Sequence, residues 1–93
     1  MAVLRHPGWP SVTVTVRYFA GAAAAAQVPE EPVTLRAPAT VTDLSAELVH
    51  RHGDALARVL AAASFIVDET AATADRALDD GARVDVLPPF AGG

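Results

Sequence analysis

Ninety-three residues, 52% of them hydrophobic, suffice for one small domain with one core, because a chain of this size buries over about 60% of its unfolded surface. The absence of cysteine excludes a disulfide framework, a thiol nucleophile and thiolate metal ligation. The net charge is −4 and all seven basic residues are arginines scattered along the chain, which argues against nucleic acid as a partner. No apolar run approaches the ~20 residues of a membrane span, so no membrane partner is expected and the expected setting is cytoplasmic.

Residues 1–11, with Pro7, Gly8 and Pro10, read as an irregular leader. A strand begins at Val12. Val12, Val14, Val16 and Tyr18 alternate with Thr13, Thr15, Arg17 and Phe19, the period of a half-buried strand with its valines inward. Residues 20–27 are nearly all alanine and predict a turn or two of helix supported by packing. Pro29 and Pro32 bracket two glutamates ahead of a short strand at 33–36, which is expected to pair with the first as a hairpin.

Thr40 and Asp43 fit a capping box, and the helix they open runs to His52, with Val41, Leu44 and Leu48 on its core face. Glu47 and Arg51 are placed as an exposed i, i+4 pair, and Gly53 ends the helix. Asp54 starts a second short helix with Leu56, Val59 and Leu60 on one face. Ser64–Val67 reads as a buried strand, Asp68-Glu69-Thr70 as a turn, and 71–82 as irregular up to a tight turn at Leu78-Asp79-Asp80-Gly81. Arg83–Leu87 is the last strand, with Val84 and Val86 inward. The folded domain is thus expected over 12–87.

The remaining residues, Pro88-Pro89-Phe90-Ala91-Gly92-Gly93, form an extended tail in this reading. The prolines fix φ near −65° and lack amide donors, so they end the strand and project the last four residues as an arm. The glycines carry no β-carbon and can thread a channel too narrow for side chains. Six residues at roughly 3.3 Å each reach about 20 Å, enough to enter a partner's active site. Period two also places Phe19 and Leu87 on polar faces, one at the end of the first strand and one at the root of the tail. If those strands are neighbours, the two residues make an apolar docking patch beside the tail.

Other sites carry less. His50 and His52 diverge by about 200° on a helix and cannot share a metal; they read as solvated residues near the C-terminal dipole. His6 falls in the leader, and Asp79 and Asp80 point apart in a turn. No catalytic triad order, phosphate-cradling glycine loop or dinucleotide fingerprint is present, so a stand-alone enzyme, a metal site and a bound cofactor are not expected. The lack of lysine fits a bias toward arginine and alanine codons; it also suits a chain whose own terminus becomes an activated acyl group.

The wording Val16-Arg17-Tyr18-Phe19-Ala20, the helix opening at 40–44, Leu78-Asp79-Asp80-Gly81 and the terminal Val86-Leu87-Pro88-Pro89-Phe90-Ala91-Gly92-Gly93 resembles the MoaD/ThiS family of sulfur carriers. Similarity covers about residues 12–93, and the Pro-Pro pair and the alanine-rich insertion look more like the molybdopterin synthase small subunit. The resemblance implies a ubiquitin-like β-grasp, an α+β fold with a mixed sheet of four to five strands around one main helix. It implies that an E1-like adenylyltransferase consumes ATP to adenylate Gly93, and that a persulfide relay converts it to a thiocarboxylate. The carrier would then dock on a large synthase subunit through Phe19, Ala71 and Leu87. There it would insert Pro88 to Gly93 and give sulfur to cyclic pyranopterin monophosphate in molybdenum cofactor biosynthesis. Carriers for thiamine, cysteine or natural products, and ubiquitin-like protein modifiers, share the same tail. One departure is Asp68-Glu69, where the family often has Asn-Gly.

Overall fold

In the computed structural model, residues 9–89 are described. The alternating first segment forms β1 (Ser11–Tyr18), with Val12, Val14, Val16 and Tyr18 buried and the intervening side chains turned outward. The alanine run folds as α1 (Gly21–Ala26), burying Ala22 and Ala26 one turn apart and ending at Gln27 in the left-handed region. Alanine at these positions lets α1 lie close against a later helix, α3 (Asp54–Ala62). The chain returns as β2 (Glu30–Arg36), antiparallel to β1. This strand is longer than the pattern suggests. Pro32 sits within it, tolerated because β2 is a sheet edge.

A short β3 (Ala39–Thr40) leads into α2 (Val41–His52), whose capping box forms as expected. Thr40 Oγ1 accepts from the Asp43 amide, and the Asp43 carboxylate accepts from the Thr40 amide at 2.8 Å. Val41, Leu44 and Leu48 are buried, and Gly53, at φ 81°, ends the helix. On α3, Leu56 and Leu60 reach the core.

The last third is more regular than its sequence suggests. β4 (Ser64–Val67) is followed by β5 (Thr70–Ala72), β6 (Ala77–Leu78) and β7 (Arg83–Leu87). β5 is the return arm of a hairpin with β4, and β6 pairs with β3. Residues 74–76 also satisfy free amides at the start of α2: Val41 N–H donates to Arg76 O and Thr42 N–H to Ala74 O, each at 3.0 Å. The segment that reads as irregular is therefore held by backbone pairing its composition does not announce. In β4 only Val67 is fully buried, because the strand has an inner and an outer face instead of two covered ones.

The main sheet has five strands in the order β2-β1-β7-β4-β5, and β7 runs parallel to β1. The helices and the valine faces of β1 and β7 enclose the core, which contains Val14, Val16, Val33, Leu44, Leu48, Leu56, Val84 and Val86. Gly81, at φ 88°, makes the turn into β7. Asp80 fastens that turn by accepting from the Thr13 amide at 2.7 Å. This is a structural task for one of the two turn aspartates.

Candidate docking face at the root of the tail

β1 and β7 are adjacent and parallel, with Tyr18 opposite Val86. Each strand therefore ends in an outward apolar residue one step further on, Phe19 and Leu87, and the Phe19 amide donates to Val86 O at 3.3 Å. The two side chains are 37% and 36% exposed. Among the described residues Trp9 is the other large hydrophobic side chain so exposed, and it lies over Arg36 at the opposite end of β1. Pro88 and Pro89 come directly after Leu87, and the strand stops there. Phe90, Ala91, Gly92 and Gly93 lie outside the described residues, as do residues 1–8 with His6.

Ala71 is not beside Phe19 and Leu87. It lies on β5, two strands from β7, and the residue between is Ile66, which pairs with both Ala71 and Asp85. At strand spacing this sets Ala71 about 10 Å from the β7 axis. Ala71 is exposed and Ile66 half-buried, so Ile66 joins the far edge of the face to the part beside the tail. Ala71 also edges a groove of about 660 Å³ between α2 and β5, lined by Val41, Ala46, Val49, Phe65 and Ala72 among others. Among the described residues no charged group lines it.

One row below Phe19 and Leu87 is a polar pair that chain order conceals. Arg17 donates through Nε and Nη2 to the two oxygens of Asp85, at 2.8 and 2.9 Å. The Arg17 Cζ also stands 5.5 Å from the Phe19 ring centroid. Both residues fall on outward phases that the alternation marks as solvated, and only the parallel pairing of β1 with β7 joins them.

A second cluster lies at the same end of β1, on the other side of the sheet. Tyr18 Oη donates to Glu31 Oε2 at 2.5 Å, and His52 Nε2 meets the same oxygen at 2.6 Å. Arg51 holds Glu31 Oε1 at 3.3 Å while also pairing with Glu47. His52 is therefore not a solvated helix-end residue: its side chain is 16% exposed and packs edge-on against Tyr18. Burial raises the Glu31 carboxyl, but hydrogen bonds from Tyr18 and His52 and the charges of His52 and Arg51 outweigh it and hold the group below its ordinary value. Burial, and then the hydrogen bond to Glu31, push the Tyr18 phenol well above its usual range. This cluster ties the end of α2 to the β1–β2 hairpin.

Among the described residues no group of three or more His, Asp or Glu gathers to hold a metal, and no helix is long and apolar enough to cross a membrane. Chemically, the face offers apolar contact next to an exit for the chain.

No curated protein matches this chain in sequence. Among solved structures it is similar to a protein of Pyrococcus furiosus provisionally named molybdopterin converting factor, subunit 1, with a TM-score of 0.78 and 32% identity over 85% of this chain and 99% of that one. It is equally similar in shape to SAMP1 of Haloferax volcanii, with a TM-score of 0.78 and 27% identity over 87% of this chain and 99% of that one. A complex of subunits 1 and 2 of the molybdopterin-converting factor from Helicobacter pylori matches at a TM-score of 0.61 and 24% identity, over 88% of this chain and all of the matched one, a likeness of fold alone. These neighbours establish the ubiquitin-like β-grasp, an α+β fold with a mixed sheet packed on helices. The ThiS family model matches residues 16–93, from the end of β1 through the Gly-Gly terminus, and the chain belongs to that family, the MoaD/ThiS group.

Proposed function

We propose that this chain is the sulfur-donating small subunit of a two-subunit molybdopterin synthase. The observation that carries the reading is the exposure of Phe19 and Leu87 side by side at the point where the chain leaves β7. A partner that covers this pair sits where residues 88–93 emerge. The likeness to the Pyrococcus furiosus protein supports the choice of pathway, and the Helicobacter pylori complex supplies a precedent for the fold beside a second subunit.

The chemistry starts from a carboxylate, which at neutral pH is ionised and a poor electrophile. An E1-like adenylyltransferase joins the Gly93 carboxylate to AMP from ATP, releasing pyrophosphate. A persulfide then attacks the acyl carbon and AMP leaves. A thiol cleaves the sulfur–sulfur bond, and the thiocarboxylate remains. Gly93 is the reacting residue, Gly92 gives slenderness, Ala91 and Phe90 span the channel, and Pro89 and Pro88 aim the tail. Phe19 and Leu87, extended through Ile66 to Ala71, dock on the large subunit, whose residues act on cyclic pyranopterin monophosphate. The carrier itself binds no cofactor.

A second reading, a ubiquitin-like protein modifier, is favoured by the likeness to SAMP1, which matches in shape as well as the Pyrococcus furiosus protein does. Intact mass after incubation with ATP, the adenylyltransferase and a sulfur donor tests both. The carrier gains the mass of one oxygen replaced by sulfur, and adding the large subunit and cyclic pyranopterin monophosphate discharges it. Isopeptide adducts on other proteins' lysines, with no discharge to the pterin, decide for the modifier. A charged tail that discharges only to another acceptor places the chain in a different sulfur pathway. No change in mass with a competent activator overturns the carrier reading.

A further inference from the structure

We propose that Arg17 is a positioning residue for docking: its guanidinium, locked by Asp85, fixes the Phe19 ring in the orientation the partner receives. The inference rests on the docking role proposed for Phe19. Arg17 and Phe19 share the outward phase of β1, two residues apart, and the Arg17 Cζ lies 5.5 Å from the ring centroid, within cation–π range. An exposed aromatic at a strand end has several staggered rotamers open to it. An exposed arginine has more. Here that freedom is removed from the arginine first, because Nε and Nη2 are both committed to one carboxylate in the planar fork that guanidinium favours.

Asp85 can hold that fork because it is itself held. Its side chain is 16% exposed, on the central strand between Arg17 of β1 and Ile66 of β4. The chain of restraint therefore runs from the rigid middle of the sheet, through Asp85 and Arg17, to a ring that would otherwise move. A partner that covers Phe19 meets a single ring position and a pair of charges already matched to each other. It then loses less freedom and less solvation on binding than it would on a mobile ring beside a lone charge. Lysine at position 17 keeps the charge but neither the fork nor the flat face.

Two measurements test this on the full chain. In the free protein, side-chain couplings and ring relaxation by NMR read the Phe19 rotamer: one rotamer is expected in the wild type, averaging in Arg17→Gln and Arg17→Lys. Binding to the cognate large subunit is measured by calorimetry for the wild type, Arg17→Gln, Arg17→Lys, Phe19→Ala and Arg17→Gln/Phe19→Ala. Either Arg17 substitution is expected to weaken binding about two- to fivefold, and Phe19→Ala about tenfold or more. The double variant should be no weaker than Phe19→Ala, because Arg17 acts through the ring. Thermal melts should fall for both Arg17 substitutions, because the largely buried Asp85 carboxylate loses its paired hydrogen bonds, so affinities are compared at a temperature where every variant is folded.

A ring that averages in the wild type, or stays fixed without Arg17, overturns the inference, as does full affinity or additive loss in the double variant. A wild-type chain that fails to bind the large subunit overturns the docking role instead, and the rotamer measurement still decides what Arg17 does.

Discussion

Replacing Glu31 with alanine should be among the most damaging substitutions of a charged residue in this chain. Its carboxylate accepts from the Tyr18 phenol at 2.5 Å, meets His52 at 2.6 Å and holds Arg51 at 3.3 Å. Tyr18 is 4% exposed, so its hydroxyl has no ready access to water once the acceptor is gone. A hydrogen bond to a charged group contributes about 1.5–3 kcal/mol, and an orphaned buried donor costs a similar amount. The Arg51 contact, one-third exposed, adds little. Together these give a loss of about 2–4 kcal/mol, a large part of the ~5–14 kcal/mol expected for a domain of this size. In a thermal melt that is a fall of about 10–20 °C.

Two companions sharpen the test. Tyr18→Phe removes one hydrogen bond to the carboxylate and leaves it its other partners, so it should cost about 1.5–2 kcal/mol, the lower end of the range for a bond to a charged group. Glu31→Gln keeps an acceptor without the charge and should fall between the two. Because the Glu31 carboxyl is held below its ordinary value of 4.5, its contribution is complete above that pH and is lost as pH falls through the folded-state value. The stability gap between wild type and Glu31→Gln should therefore close on acidification below about pH 4.5. A fall of less than about 3 °C for Glu31→Ala, full additivity with Tyr18→Phe, or a gap that widens in acid would refute the network.

Other named contacts give further expected outcomes. Glu69 sits at φ 70° in the β4–β5 turn, so Glu69→Gly should raise stability by about 0.5–1 kcal/mol in urea unfolding. Asp68, at φ 47°, should resist the same change, because its carboxylate accepts from the Arg83 amide at 2.9 Å. Thr40→Ala opens the capping box of α2 and should cost about 1 kcal/mol, seen as a melting point lower by roughly 5 °C. With no lysine in the chain, activation by ATP and an adenylyltransferase should yield no isopeptide-linked self-adduct on a denaturing gel.

The parts of the fold that could be read in advance are those in which a local pattern has one physical meaning. Alternating valines have to be a half-buried strand, and β1 and β7 form accordingly. Thr40 with Asp43 marks a helix start, and Gly81 marks a turn. Thr70-Ala71-Ala72 has no alternation and little β-propensity; it is a strand because the positive-φ pair Asp68-Glu69 folds it back on β4. Glu31 and His52 stand 21 residues apart, and Arg17 and Asp85 stand 68 apart. Such contacts depend on which strands become neighbours, so a glutamate of the Glu30-Glu31 pair between prolines and an outward arginine carry no sign of their partners. Phe19 and Leu87 were legible because each breaks its own strand's polar phase.

In the proposed reading, the sheet order gives a physical reason for a docking patch and a reactive tail to share the same strands. β7 is the central strand, paired along β1 on one side and β4 on the other, so its end is the least mobile place from which a terminal arm can leave. Leu87 is the last residue of that strand and Phe19 lies beside it, both fixed to the same hydrogen-bonded ladder. A partner that seats these two side chains thereby sets the origin of residues 88–93 to within about one residue length, ~3.5 Å. The path of a short arm that begins with two prolines is then the main variable left. Had the arm left an edge strand such as β2 or β5, gripping the patch would constrain its origin far less. In the proposed function, docking beside β7 leaves tail insertion with little searching to do, and substitutions at Phe19 or Leu87 should impair delivery of the tail together with binding.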